Sequence, residues 1–137
     1  MIVIDASVLA NALADDGDDG DAARLVVRES GALAAPDLVD VETVSVLRKW
    51  WLAGDLTARR FRAAIDDLED LPLDRYPSGA FMPRAYELRA NVTAYDATYV
   101  ALAEVLGCPL LTADDRLAHA PGTRCRFQVL REETPQQ

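Results

Sequence analysis

The sequence predicts an α/β fold, with helices packed around a mainly parallel sheet of roughly five strands. Three observations lead there. Short apolar runs alternate with longer amphipathic segments along the whole chain. The runs lack apolar/polar alternation, as in strands buried on both faces. No internal repeat, linker or low-complexity stretch divides the 137 residues, so one domain is expected over 1–131, followed by a polar tail at 132–137.

The elements follow in order. MIVID at 1–5 reads as a buried strand ending in an acid, and Ala6 or Ser7 opens a helix to about Ala14. Residues 15–21, DDGDDGD, read as a solvated loop or frayed helix start; the spacing and closing Glu of a calcium loop are missing. Helix resumes from Asp21 to Arg28 and stops before Gly31. ALAA at 32–35 is a second strand, ended by Pro36. Asp37 is the expected N-cap of a helix from Leu38 to Ala53, closed at Gly54. Thr57 caps a helix over Ala58–Asp70, and PLDRYP at 72–77 is strand or extended. Further helices are predicted from Gly79 to about Asn91 and from Asp96 to Leu106, where Gly107 closes the second. CPLLT at 108–112 is a buried strand, a short helix lies near Asp115–Ala118, and FQVL at 127–130 is the last strand.

Composition narrows the function. Half of the residues are apolar and 27% are charged, which is ordinary globular usage. Two cysteines build no disulfide framework and show no zinc spacing; Cys108 and Cys125 read as reduced thiols. No apolar run approaches the ~18 residues that span a bilayer. MIVID lacks the features of a signal peptide, so a cytoplasmic protein without membrane partners is expected. The single histidine, His119, excludes His-pair ribonuclease chemistry, Ser-His-Asp triads and three-His zinc sites within one chain. GxGxxG and GxxxxGK[ST] are both missing, which removes dinucleotide and P-loop readings. Any enzymatic chemistry therefore rests on carboxylates, with a metal ion to offset them.

Four acids fall where such a site belongs, because open α/β sheets bind at the carboxyl ends of their strands. Asp5 ends the first strand and Asp114 follows LLTA beyond the fourth. Glu42 and Asp96 lie near the starts of helices expected at the same edge. Singly, each has a plain structural role: Asp5 as a helix cap, Glu42 on a solvated face, Asp96 drawn to a helix N-terminus, Asp114 or Asp115 as another cap. Jointly, carboxylates repel by about 4 kcal/mol per pair at ~4 Å and an effective dielectric near ~20. Such a cluster persists when protonated or when it holds a hard divalent cation such as Mg²⁺ or Mn²⁺. A metal held this way acidifies water and steadies a phosphodiester oxyanion.

Asp5 with Ser7 after a first strand, Glu42 in a downstream helix, AYDATYVALAE at 94–104 and LLTADDRL at 110–117 together resemble the PIN-domain ribonucleases. Within them the chain is most similar to VapC-type toxins of bacterial toxin–antitoxin pairs. The resemblance spans essentially the whole chain. It implies a three-layer α/β/α fold and an Mg²⁺- or Mn²⁺-dependent endoribonuclease leaving 5′-phosphate and 3′-hydroxyl ends. The catalytic and metal-binding acids would be Asp5, Glu42, Asp96 and Asp114, with Ser7 and Thr112 beside them. Asp115 either supports the site or caps the helix DRLAHA, and the cap is the favoured role. The implied partners are a VapB-type antitoxin, a structured RNA such as tRNA or rRNA, and a second copy in a homodimer.

Competing readings use the same acids differently. A receiver-like signalling module would want a lysine at a late strand end, whereas Lys49 lies mid-helix, and the intact set of four acids counts against a PIN fold kept only for protein binding. A haloacid-type phosphatase would want Asp, not Ser, at position 7. Trp50 and Trp51 lie about 100° apart on their helix, so one faces the core and the other suits a partner. Arg75, Tyr76, Pro77, Arg84, Arg89, Asn91 and Arg116 are candidates for RNA phosphate contact, Tyr95 for base stacking, and His119 for an exposed helix end. The net charge of −9 opposes nucleic-acid capture only superficially. Setting the four site acids and the five Asp of 15–21 apart from the 23 leaves 14, equal to the Lys+Arg count.

Overall fold

A computed structural model describes residues 1–130; residue 131 and the expected tail at 132–137 lie outside them. The strands are β1 (Ile2–Ile4), β2 (Leu33–Pro36), β3 (Leu73–Tyr76), β4 (Leu110–Thr112) and β5 (Phe127–Val129). They make one parallel sheet in the order β3-β2-β1-β4-β5. The helices are α1 (Ala6–Ala14), α2 (Asp18–Glu29), α3 (Val39–Leu52), α4 (Ala58–Asp70), α5 (Met82–Glu87), α6 (Ala94–Leu106) and α7 (Asp115–Ala118).

Three layers result. On one side α1 packs against α2, α3 and α4; on the other, α6 lies over β1 and β2 with α5 beside it. Every residue of β1, β2 and β4 is buried, which accounts for their unbroken apolar character. Seven consecutive α6 residues, from Ala97 to Ala103, are buried, so the middle of this helix is enclosed on all sides. It ends as expected at Gly107, whose φ of 64° suits a residue without Cβ. No helix among the described residues is long and apolar enough to cross a membrane.

Several boundaries differ from the sequence reading. The helix expected over 79–91 divides into a 3-10 turn at Ser78–Phe81, α5, and a string of turns to Asn91. Pro83 stands at the start of α5 and offers no N–H to a continuous ladder. Asp37 does not cap α3, which begins behind Leu38 without a side-chain cap. Its Oδ1 instead accepts from Ser78 N at 3.2 Å and Ser78 Oγ at 2.5 Å, tying the end of β2 to the turn after β3.

The acidic run is more ordered than a solvated loop. Helix α2 begins at Asp18, with Asp18, Asp19 and Asp21 in its first turn, where the helix dipole favours carboxylates. Gly20 is buried, and Arg24 donates to Ala12 O at 3.2 Å and Asp15 O at 2.8 Å, clamping α2 to the end of α1.

Two arginines expected to face RNA are internal struts. Arg75 makes a two-pronged pair with Asp40 (2.7 and 2.9 Å), and Arg84 does the same with Glu104 (2.8 and 3.1 Å) while reaching Gly122 O at 2.8 Å. Arg89 stacks on Tyr86 at 3.9 Å, and Asn91 donates to Pro121 O at 3.4 Å.

A Cβ at Gly20 would stand 1.8 Å from the Asp15 carbonyl oxygen. Alanine normally favours a helix over glycine by about 1 kcal/mol. Here Gly20→Ala should instead destabilise the protein by about 1–3 kcal/mol, read as a lower urea midpoint at unchanged slope. A midpoint equal to or above wild type would refute that packing.

Candidate active site

The strand order places a reversal at the centre of the sheet. From β1 the chain moves first to β2 and β3 on one side, then returns to β4 on the other. Ligands of open α/β sheets bind at such a reversal, outside the carboxyl ends of the strands. Asp5 follows β1 and Asp114 lies two residues beyond β4. The strands are held in register by Val3 opposite Leu110, Ile4 opposite Leu111, and Asp5 N donating to Leu111 O at 3.1 Å.

Both aspartates are helix caps as well. Asp5 Oδ1 accepts from Val8 N at 3.0 Å at the start of α1. Asp114 Oδ1 accepts from Arg116 N at 3.0 Å and Leu117 N at 3.3 Å at the start of α7. The cap of α7 is thus Asp114, which corrects the assignment to Asp115. Asp115 is the first helical residue, exposed, with its carboxylate 3.7 Å from His119 Nδ1. A cap needs extended backbone, and position 114 supplies it at φ −92°, ψ 100°.

Thr112 joins the two aspartates. Its fully buried Oγ1 accepts from Asp114 N at 3.0 Å, and its hydroxyl faces the Asp5 carboxylate. Asp96 sits in the first turn of α6, its N–H donating to the capping Thr93 Oγ1 at 3.2 Å. Glu42 is in the first turn of α3, half-buried, and its Oε1 has no hydrogen-bond partner. Tyr99, one turn beyond Asp96, faces Glu42, and its buried hydroxyl has no partner of good geometry either. Ser7 is exposed on the rim of an open cleft that it shares with Asp114.

These carboxylates feel one another. Burial pushes the pKa of Asp5 up to about 6; Thr112 and Val8 N–H partly oppose this, and the charges of Asp96 and Asp114 add to it. Burial likewise raises Glu42, eased by the Tyr99 phenol and reinforced by Asp96 and Asp5. Asp96 is raised by burial and then by Asp114, against the hydroxyl of Thr93. The fold therefore brings the four predicted acids into one electrostatic cluster. It does not close them into a cage: among the described residues no three Asp, Glu, His or Cys side chains form a ready metal-ligand set.

The remaining cleft wall went unpredicted. It consists of Asn11, Val46, Lys49, Trp50 and Ala113, a cavity of about 360 Å³. Asn11 stands one helical turn after Ser7, a spacing that places both on one face of α1. Tyr99 was equally detectable, three residues after Asp96 on α6. Of the tryptophans, Trp50 packs on the core and Trp51 is exposed, matching the expected division. Tyr95 and His119 are exposed. Both cysteines are free thiols with pKa raised by burial, Cys125 to about 11.

A carboxylate cluster at the reversal of this parallel sheet defines a PIN-type protein, and the PIN domain family model matches residues 2–122, so the chain belongs to that family. Within it the chain groups with the VapC ribonucleases. Ribonuclease VapC1 of Mycobacterium tuberculosis is 42% identical over 130 residues, covering 94% of this chain and 97% of the relative. Ribonuclease VapC9 of the same organism is also 42% identical over 130 residues, covering 95% and 98%. Among solved structures, M. tuberculosis VapC20, described as a sarcin-ricin loop cleaving toxin, aligns with a TM-score of 0.63 at 16% identity over 80% of this chain and 87% of that one. VapBC2 from Rickettsia felis, bound to a DNA fragment from its promoter, gives 0.61 at 12% identity over 95% and 99%. Both share the fold.

The raised pKa values set the sign of this cluster's contribution to the pH response, which is opposite to that of Glu104, whose pKa is lowered. Asp5, Glu42 and Asp96 bind protons more tightly folded than unfolded, so their ionisation opposes folding above the shifted pKa. In EDTA, thermal stability should rise as pH falls through about 6 towards 3.8, the ordinary value for Asp5. Asp5→Asn keeps the cap and removes the charge, so it should raise the midpoint above pH 7 by roughly 3–6 °C and flatten the pH curve. A wild-type midpoint that falls on acidification across that window would contradict the electrostatic picture.

Proposed function

We propose that the protein is a divalent-metal-dependent endoribonuclease toxin of a bacterial toxin–antitoxin pair. The observation that carries this reading is the meeting of Asp5 and Asp114 at the β1/β4 reversal, with Asp96 and Glu42 close enough to add to the charge there. The naming of the 42%-identical relatives as ribonucleases supports it.

The donor set fits a hard cation. All four groups are carboxylates, and the buried Glu42 Oε1 is a lone-pair donor without a partner. Asp5, Glu42, Asp96 and Asp114 would hold Mg²⁺ or Mn²⁺, and two such ions would neutralise them. A bound ion supplies an acidified water and positive charge at the phosphodiester oxyanion.

The chain's own residues do the rest. Asp114 spends only Oδ1 on the α7 cap, and backbone N–H groups fix its direction, as Val8 N–H fixes that of Asp5. Thr112 sets the spacing between the two. Ser7, on the cleft rim, would hydrogen-bond a phosphate oxygen or a water. Hydrolysis by in-line attack of water, with the P–O3′ bond breaking and the 3′ oxygen taking up a proton, would leave a 5′-phosphate and a 3′-hydroxyl.

The same reading includes a cytoplasmic location, a structured RNA substrate such as tRNA or rRNA, a VapB-type antitoxin and a homodimer. VapC20 is described as a sarcin-ricin loop cleaving toxin, and the name VapBC2 joins a VapC of this fold to a VapB. Exposed Val41, Trp51 and Leu52 on α3 offer an apolar face for a partner.

Purified protein should cleave RNA with Mn²⁺ or Mg²⁺ and not in EDTA, and Asp5→Asn or Asp96→Asn should reduce the rate at least about 100-fold. Metal-independent cleavage, or full activity in both variants, would overturn the mechanism. Induced expression should arrest growth and co-expression of the antitoxin should restore it; unaffected growth at confirmed expression would count against a toxin.

A further inference from the structure

Two clefts meet across Asn11 and Trp50, and their charges differ. The larger, about 670 Å³, is faced by Asp15, Asp16, Asp19 and Asp55, and its Arg60 is already bound to Asp16 at 3.3 Å. The smaller holds Asp114 and Lys49, the only lysine of the chain. Among the described residues Lys49 enters none of the ion pairs, so its ammonium is available to a ligand. Trp50 stands on the divide, half-buried, packed on the core and also lining both clefts.

We propose that Lys49 and Trp50 form a nucleotide subsite beside the carboxylates, in which Lys49 binds an RNA backbone phosphate flanking the scissile bond and Trp50 stacks the adjoining base. This rests on the nuclease reading and deepens it. A phosphate approaching Asp114 meets a cluster of carboxylates and needs a compact counter-charge nearby, which Lys49 supplies. The indole offers a flat apolar face that accepts any base. Asn11, on the same wall, has an amide suited to a base edge. Beyond Trp50 the aspartates of the larger cleft repel phosphate, so the strand ends or turns at the indole and the base, rather than the backbone, covers it. The strand is thereby held from one side, with a defined nucleotide next to the acids.

The test uses fluorescence in a Trp51→Phe background, where Trp50 is the only tryptophan. Titration in Mg²⁺ with a short mixed-sequence 2′-O-methyl oligoribonucleotide should quench Trp50 saturably, while an abasic oligomer of equal length should not. Lys49→Met should weaken the apparent Kd about 5–10-fold and flatten its salt dependence by about one phosphate. Trp50→Phe, followed by filter binding, should bind within about threefold of wild type, whereas Trp50→Leu should lose about tenfold or more. In cleavage of total RNA both losses should appear in KM rather than kcat. Equal quenching by the abasic oligomer, or an unchanged Kd and KM in Lys49→Met, would overturn the subsite and leave the nuclease reading standing. Failure of the wild-type protein to cleave RNA with either metal would overturn both.

Discussion

Because β1 runs parallel to β2 on one edge and to β4 on the other, the chain must leave the sheet in opposite directions at its centre, and the crevice so opened is where the carboxylates gather. The one-residue register between Val3–Ile4 and Leu110–Leu111 decides which side chains emerge beside each other there. Asp5 and Asp114 are neighbours only because both strands end at the same height. Helices α3 and α6 then add Glu42 and Asp96 through their first turns. A shift of one residue in β4 would exchange the two buried faces of the strand and separate the acids in the same movement.

Much of this was legible in the sequence, for a physical reason. Strands buried on both faces must be apolar throughout, so MIVI, ALAA and LLT announce themselves, and an acid directly after such a run has few places to go. Three of the five strands, β1, β2 and β4, were readable on that basis, and with them the positions of Asp5 and Asp114. Long-range packing was not. Asp37 meets Ser78 across 41 residues, and Arg75 and Arg84 find Asp40 and Glu104 at separations of 35 and 20, where no local pattern points. Gly20 looked like one small residue in a loose acidic run, yet the close approach of α2 to Asp15 requires it. Lys49 and Trp50 looked like helix interior because the face of α3 that meets the cleft depends on how α1 lies against it.

Acidity has three separate uses in this chain. At the sheet edge it is concentrated and half-buried, which raises pKa values. In the first turn of α2 it sits at a helix start, where the dipole stabilises it. Elsewhere it is consumed by arginines: Glu104, held below the ordinary carboxylate range by Arg84 and the Arg124 N–H despite its burial, is the clearest case. The negative net charge is thus the sum of local arrangements, not a uniform field.

The capping role of Asp5 and Asp114 bears on which substitutions the two positions tolerate. Asparagine caps a helix as well as aspartate does, and an Asp codon becomes an Asn codon by one base change. Alanine at either position would expose a helix end as well as remove a charge. Loss of the negative charge at either position therefore has a short mutational route that leaves both helix starts, and with them the fold, in place.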